Sequence, residues 1–177
     1  QLNLLEETDA GKVLLTIPEK FPAFPGQRVV MPLRFEPGSN QVTSLAFSVD
    51  YDSSKLTFLG GDQDADGLPD GVHFNLPAGF MASATFDPDD ADGEIDIVIY
   101  HPGLAKAVLP ASDFMSLTFE VKAGSQDEAE VLSAHDPWAS FGSLTGLSLP
   151  AAIKNGSIQV YDTTTTFIFL PVTVYER

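Results

Sequence analysis

The chain has 177 residues, 44% hydrophobic and 19% charged, the composition of one globular domain with a real core and short tails rather than of a disordered chain. Asp and Glu number 25 against 9 Lys and Arg, a formal net charge of −16; such a field repels nucleic acid and anionic membrane surfaces and suits cations, neutral ligands or basic protein patches. Cysteine is absent, which excludes a disulfide framework and a thiolate metal site, and no apolar run reaches the length of a membrane span, so no membrane insertion is expected.

Residues 1–11 read as a lead-in, and a start at Gln1 rather than Met is expected of a chain whose leader has been removed or trimmed off. Val13 to Ile17 is a short apolar strand, and Phe21 to Gly26 is a turn-rich connector. Val29 to Phe35 is a strand, predicted at a sheet edge because Pro32 has no N–H to donate. After a turn at Pro37-Gly38-Ser39-Asn40, the apolar residues Leu45, Phe47, Val49 and Tyr51 alternate with Ala46, Ser48 and Asp50, a period of two. The same alternation sets Ile95, Ile97 and Ile99 against Asp96, Val98 and Tyr100. It also sets Leu117, Phe119 and Val121 against Thr118, Glu120 and Lys122. Pro102 to Ser112 and Glu128 to Ala134 read as the places for a short helical turn. Asn155-Gly156 is a hairpin-turn signal before the strand Ser157 to Tyr161. One-sided alternation punctuated by Gly, Pro and Asp predicts an all-β, antiparallel β-sandwich with little helix. Thr163 to Thr166 reads as a linker. The apolar tail Phe167 to Tyr175 is expected to add a strand to the sandwich or to a neighbouring copy, a route to homo-oligomers.

The strongest chemical signal is Asp62-Gln63-Asp64-Ala65-Asp66-Gly67-Leu68-Pro69-Asp70. Calcium takes about six to eight oxygen ligands, and in a loop of about twelve residues they come from positions 1, 3, 5, 7, 9 and 12, with glycine at 6. Counting from Asp62 places Asp64 at the third position, Asp66 at the fifth, Gly67 at the sixth, the Leu68 carbonyl at the seventh and Asp70 at the ninth. Counting from Asp64 fails, because Pro69 then falls where glycine is required. The last position is His73, a poor calcium ligand, so the shell needs an oxygen from elsewhere or from water. Asp and Gly also form solvated turns without any metal. Calcium held by Asp62, Asp64, Asp66, Leu68 and Asp70 is the expectation. A second acidic stretch, Asp87 to Asp96, fits less well, and Asp92-Gly93 reads better as a hairpin turn between Phe86 and Ile95.

Catalytic constellations are not evident. His73, His101 and His135 form no H-E-x-x-H pair, no Gly-x-Ser-x-Gly elbow occurs, and no glycine loop for phosphate is present. Carboxylate pairs are unavoidable among 25 acids and carry no weight. The chain is therefore expected not to be an enzyme. Trp138 is the single tryptophan; it could stack on a sugar or plug a core.

Four segments occur in an order that resembles cohesin domains. They are Pro25-Gly26-Gln27-Arg28-Val29-Val30-Met31-Pro32-Leu33, Leu45 through Phe58 with its Tyr51-Asp52 strand end, Ser116 through Gly124, and Asn155-Gly156-Ser157-Ile158-Gln159-Val160. The resemblance covers residues 12–161. It implies a jelly-roll sandwich of about nine strands that binds a dockerin-like module through one sheet face, in a secreted or bacterial cell-surface protein. Carried over, that face would hold Ala46, Ser48, Asp50, Asp96, Val98, Tyr100, Ser116, Thr118 and Glu120, with Val98 and Tyr100 as exposed anchors. Three departures stand out. Ala46 lies where many members that bind dockerin tightly carry Asp, the Asp62–Asp70 loop is an insertion, and the tail after Asp162 is outside the pattern. A carbohydrate-binding module with a polysaccharide partner, and a structural spacer, are the other readings that the composition allows.

Overall fold

A computed structural model describes residues 11–89, 93–103, 107–133 and 139–162. Within them the alternating stretches form thirteen strands: β1 (Val13–Thr16), β2 (Phe21–Ala23), β3 (Arg28–Glu36), β4 (Val42–Tyr51), β5 (Leu56–Phe58), β6 (Val72–Phe74), β7 (Met81–Phe86), β8 (Ile95–Tyr100), β9 (Ser112–Val121), β10 (Asp127–Ser133), β11 (Ser140–Ser143), β12 (Ala151–Lys154) and β13 (Gly156–Val160). One sheet runs β12-β1-β3-β9-β5, with β6 also on β9; the other runs β2-β13-β10-β4-β8-β7, with β11 also on β4. Pairing is antiparallel except for β1 with β12 and β13 with β2. The two sheets form a sandwich with more strands than expected, because short strands share long ones. Thus β10 covers one half of β4 and β11 the other.

Alternation decides which side chains go inside. Leu45, Phe47, Val49, Ile95, Ile97 and Ile99 from one sheet meet Met31, Leu33, Phe35, Leu117, Phe119 and Val121 from the other, all almost fully buried. The regular count breaks once, in β9. Leu33 pairs with Met115 but Arg34 pairs with Asp113, so Phe114 is the extra residue of a bulge. The bulge lets both Phe114 and Met115 enter the core. Phe114 there packs edge-on against Phe35 of its own sheet and Phe47 of the opposite one, with ring centres 6.0 and 6.1 Å away.

Several local expectations change. Pro32 lies in β3, between β1 and β9, not in an edge strand. Its position is nonetheless edge-like, because β1 covers only Arg34 to Glu36 and leaves Pro32 with a ladder neighbour on one side, Ser116. The connector at Phe21 contains strand β2. Asp127–Ser133 is strand β10 rather than a helical turn, its alternating Ala129, Val131 and Ser133 turned inward. Asn155-Gly156 is not a hairpin turn: β12 and β13 belong to different sheets, and the chain crosses between them at this point. Asn155 accepts the Ser133 N–H at 2.8 Å through its side-chain oxygen. A Cβ on Gly156 would lie 2.3 Å from the Pro18 carbonyl oxygen. The hairpin between Phe86 and Ile95 is present, with those two residues in register. The tail from Thr163 onward lies outside the described residues.

Candidate interaction face and acidic loop

The outer face of β4, β8 and β7 is set by register. Ala46 lies opposite Val98 and Ser48 opposite Asp96; on the other side of β8, Met81 faces Tyr100, Ser83 faces Val98 and Thr85 faces Asp96. Because their neighbours Ile95, Ile97 and Ile99 are drawn into the core, Asp96, Val98 and Tyr100 must point outward. The result is a row of exposed apolar side chains, Met81 at 52% exposure, Val98 at 41% and Tyr100 at 39%. A shallow depression of about 370 Å³ lies beside this row, lined among others by Ala46, Ser48, Thr85, Glu94, Asp96 and Val98.

One end of the depression is acidic. The Ser48 hydroxyl donates to Asp96 Oδ1 at 2.6 Å. The Ser48 hydroxyl also favours the charged form of Glu94, but burial together with Asp96 and Asp50 outweighs it, and the Glu94 carboxyl is held above the ordinary glutamate range. Asp50 follows Val49 on β4, opposite Leu132 of β10. Glu94 is thus crowded by two other carboxylates, Asp96 and Asp50, with the apolar surface of Ala46 and Val98 next to it.

The nine residues expected to share a face do not. Ala46, Ser48, Asp50, Asp96, Val98 and Tyr100 belong to the β4–β8 sheet, whereas Ser116, Thr118 and Glu120 lie on β9 in the opposite sheet. There they pair with Pro32, Val30 and Arg28 of β3. Alternation marks a residue as outward but not which of the two outsides it faces. Sequence reasoning also missed Met81, Thr85 and Glu94. The weak alternation of Met81-Ala82-Ser83-Ala84-Thr85-Phe86 before the recognised turn was the available signal for the first two.

The acidic loop is a closed excursion from the other sheet. β5 and β6 lie end to end along β9, from Leu56 opposite Val121 to Phe74 opposite Met115. Between them the Gly71 N–H donates to the Leu59 carbonyl at 2.7 Å and pinches the loop at its base. Glycine is required there, because a Cβ on Gly71 would lie 2.6 Å from the Phe58 ring. In the loop, carboxylate oxygens of Asp62, Asp64 and Asp66 lie within 4.8 Å of one another, all exposed. Asp62 accepts from the Asp66 and Gly67 N–H groups at 3.1 and 3.2 Å, and Asp66 accepts from Leu68 N–H at 2.8 Å. Asp70 is outside this trio and accepts the Gln63 N–H at 3.0 Å. His73, the last loop position, is in β6 opposite Ser116. His101 packs its ring on Phe80 at 5.2 Å. His135 and Trp138 lie outside the described residues, as do residues 90–92 of the second acidic stretch.

A family profile described as "Cohesin domain" matches residues 16–160, the span from the end of β1 through β13. The chain belongs to the cohesin family. Solved cohesins share its architecture. The seventh ScaB type I cohesin from Pseudobacteroides cellulosolvens superposes with a TM-score of 0.66 at 20% identity, covering 94% of this chain and 99% of that one. The type I Coh-OlpC–Doc435 cohesin–dockerin complex from Clostridium thermocellum gives a TM-score of 0.65 at 20% identity, covering 85% and 94%. The sixth cohesin of scaffoldin B from Acetivibrio cellulolyticus, solved with a mutant Cel5 dockerin, gives 0.63 at 21%, covering 85% and 99%. At these identities the likeness shows the cohesin fold. None of the curated proteins matches the chain.

Proposed function

We propose that this cohesin domain is a non-catalytic recognition module of an extracellular or cell-surface protein, and that it binds a dockerin module through the outer face of β4, β8 and β7. The observation that carries the reading is the exposed row Met81, Val98 and Tyr100 beside the Ser48–Asp96 hydrogen bond, on one sheet face of a cohesin. Apolar anchors ringed by hydrogen-bonding groups are what a specific protein interface needs, and no reacting group is required for that work. Related cohesins from Acetivibrio cellulolyticus and Clostridium thermocellum are solved in complex with dockerins.

Calorimetric titration of the domain with a panel of purified dockerin modules tests the reading. Val98→Lys and Tyr100→Ala should each weaken the complex by about 2 kcal/mol or more. Val30→Lys, on the opposite sheet at 56% exposure, should leave it unchanged. Binding by no dockerin, or loss through Val30 instead of Val98, would reject it.

We also propose that calcium occupies the Asp62–Asp70 loop. The close approach of the Asp62, Asp64 and Asp66 carboxylates supports this, since three mutually repelling anions are stabilised by a hard cation. The Leu68 carbonyl and Asp70 are the remaining oxygens in register. The loop lies on the sheet opposite the docking face, so its role is to brace its own backbone.

A further inference from the structure

The depression on the docking face has both a shape and a sign. Ala46 and Val98 form an apolar wall in register with one another, and two residues along β8 the Ser48–Asp96 pair begins the acidic end, with Glu94 beyond it. Asp50 adds a third negative charge next to Glu94. An acidic partner residue is repelled here. A purely apolar one would cover Glu94 and Asp96 without compensating their lost hydration. A long cationic side chain answers both demands, because its methylene stem covers apolar surface while its head reaches charge. The space of about 370 Å³ admits such a side chain, and the chain's net charge of −16 attracts it from a distance.

We propose that this depression is the specificity pocket for a single lysine or arginine of the partner, its stem lying on Ala46 and Val98 and its head between Glu94 and Asp96. The proposal rests on the reading that the face binds a dockerin. The neighbouring Met81, Val98 and Tyr100 row then takes an aliphatic or aromatic side chain from the same partner surface.

A displayed library of a dockerin module, randomised at the exposed positions of its helices and selected against the wild-type domain, tests this. Lys or Arg should be enriched at one position. Against Glu94→Gln/Asp96→Asn the enrichment should fall by roughly tenfold or more, and against Glu94→Lys the same position should select Asp or Glu. Ala46→Leu, which enlarges the apolar wall into the depression without altering a charge, should also abolish the preference. Binders selected with no basic residue, or a basic preference that survives both Glu94→Gln/Asp96→Asn and Ala46→Leu, would overturn the pocket alone. A library that yields no binder would overturn the pocket and the dockerin reading together.

Discussion

Ser48 on β4 donates its hydroxyl to the carboxylate of Asp96 directly across the β4–β8 pair, at 2.6 Å, while being only 7% exposed. The bond holds Asp96 in one orientation beside Glu94. Ser48→Ala removes the donor and leaves the crowded carboxylates without it. It should destabilise the domain by about 1–2 kcal/mol, and Ser48→Thr should retain most of that. Urea unfolding midpoints measure it; an unchanged midpoint in Ser48→Ala would show that the bond contributes nothing.

Glu94 links this cluster to pH. The Ser48 hydroxyl favours its charge, yet burial, Asp96 and Asp50 prevail and raise its carboxyl above the ordinary value of 4.5. The folded state therefore holds this proton more tightly than the unfolded chain does. The resulting stabilisation is complete below the ordinary glutamate range and is lost as pH rises through the raised value. Glu94→Gln should thus melt above wild type at neutral pH, with the gap closing as pH falls below about 4.5. Calorimetric scans across that range decide it, and equal melting temperatures at pH 7 would contradict it.

The crossing from β12 to β13 depends on Gly156. A Cβ there meets the Pro18 carbonyl at 2.3 Å and the Ile17 side chain at 2.7 Å, and backbone cannot yield as a flexible side chain can. Gly156→Ala should cost about 1–3 kcal/mol. Gly146→Ala, with open space around its Cβ position, separates steric crowding from backbone strain, since Gly146 has a positive φ of 77°. If Gly156→Ala unfolds at the same denaturant concentration as wild type, the crowding is relieved by a small shift.

Phe114 ties the sheets together from the β9 bulge. Truncating it to Ala removes its edge-on contacts with Phe35 and Phe47 and should cost about 3–5 kcal/mol. Chemical denaturation is the measure. A cost near that of a surface substitution would mean that the bulge closes and refills the space.

Calcium in the acidic loop should raise the melting temperature by roughly 5–10 °C at a hundredfold excess over its dissociation constant. A chelator should reverse the rise. Asp64→Ala/Asp66→Ala should abolish it while melting close to the calcium-free wild type. Asp70→Asn separates a ligand from a turn residue: retained calcium response would assign Asp70 to its bond with Gln63 alone. Absence of any shift in the wild type would remove calcium from the loop.

Much of the architecture was legible in the residues. The alternation through Leu45 to Tyr51, Ile95 to Tyr100 and Leu117 to Val121 predicted which side chains are buried, and burial follows it except at Ser48, which is outward yet covered. Phe86 and Ile95 pair as the hairpin expectation required, while Asp92 itself lies outside the described residues. The cohesin resemblance rested on the order of four segments, and the family profile covers all of them. Asn155-Gly156 misled because the same dipeptide that closes a hairpin also permits a close approach when the chain changes sheets. Asp127–Ser133 misled because three acids in seven residues masked the inward Ala129, Val131 and Ser133.

By itself the sequence determined the sandwich, the inward and outward sides of the clearly alternating strands, the acidic loop and the family. A period of two is a local property of the pleat, and a single strand carries it whole. Only the tertiary structure decided which sheet each strand joins. That is why Ser116, Thr118 and Glu120 lie on the other sheet from Ala46 and Val98, and why Met81, Thr85 and Glu94 lie beside them. Both sheets of a sandwich impose the same alternation, so sheet membership is settled by pairing between residues far apart in the chain.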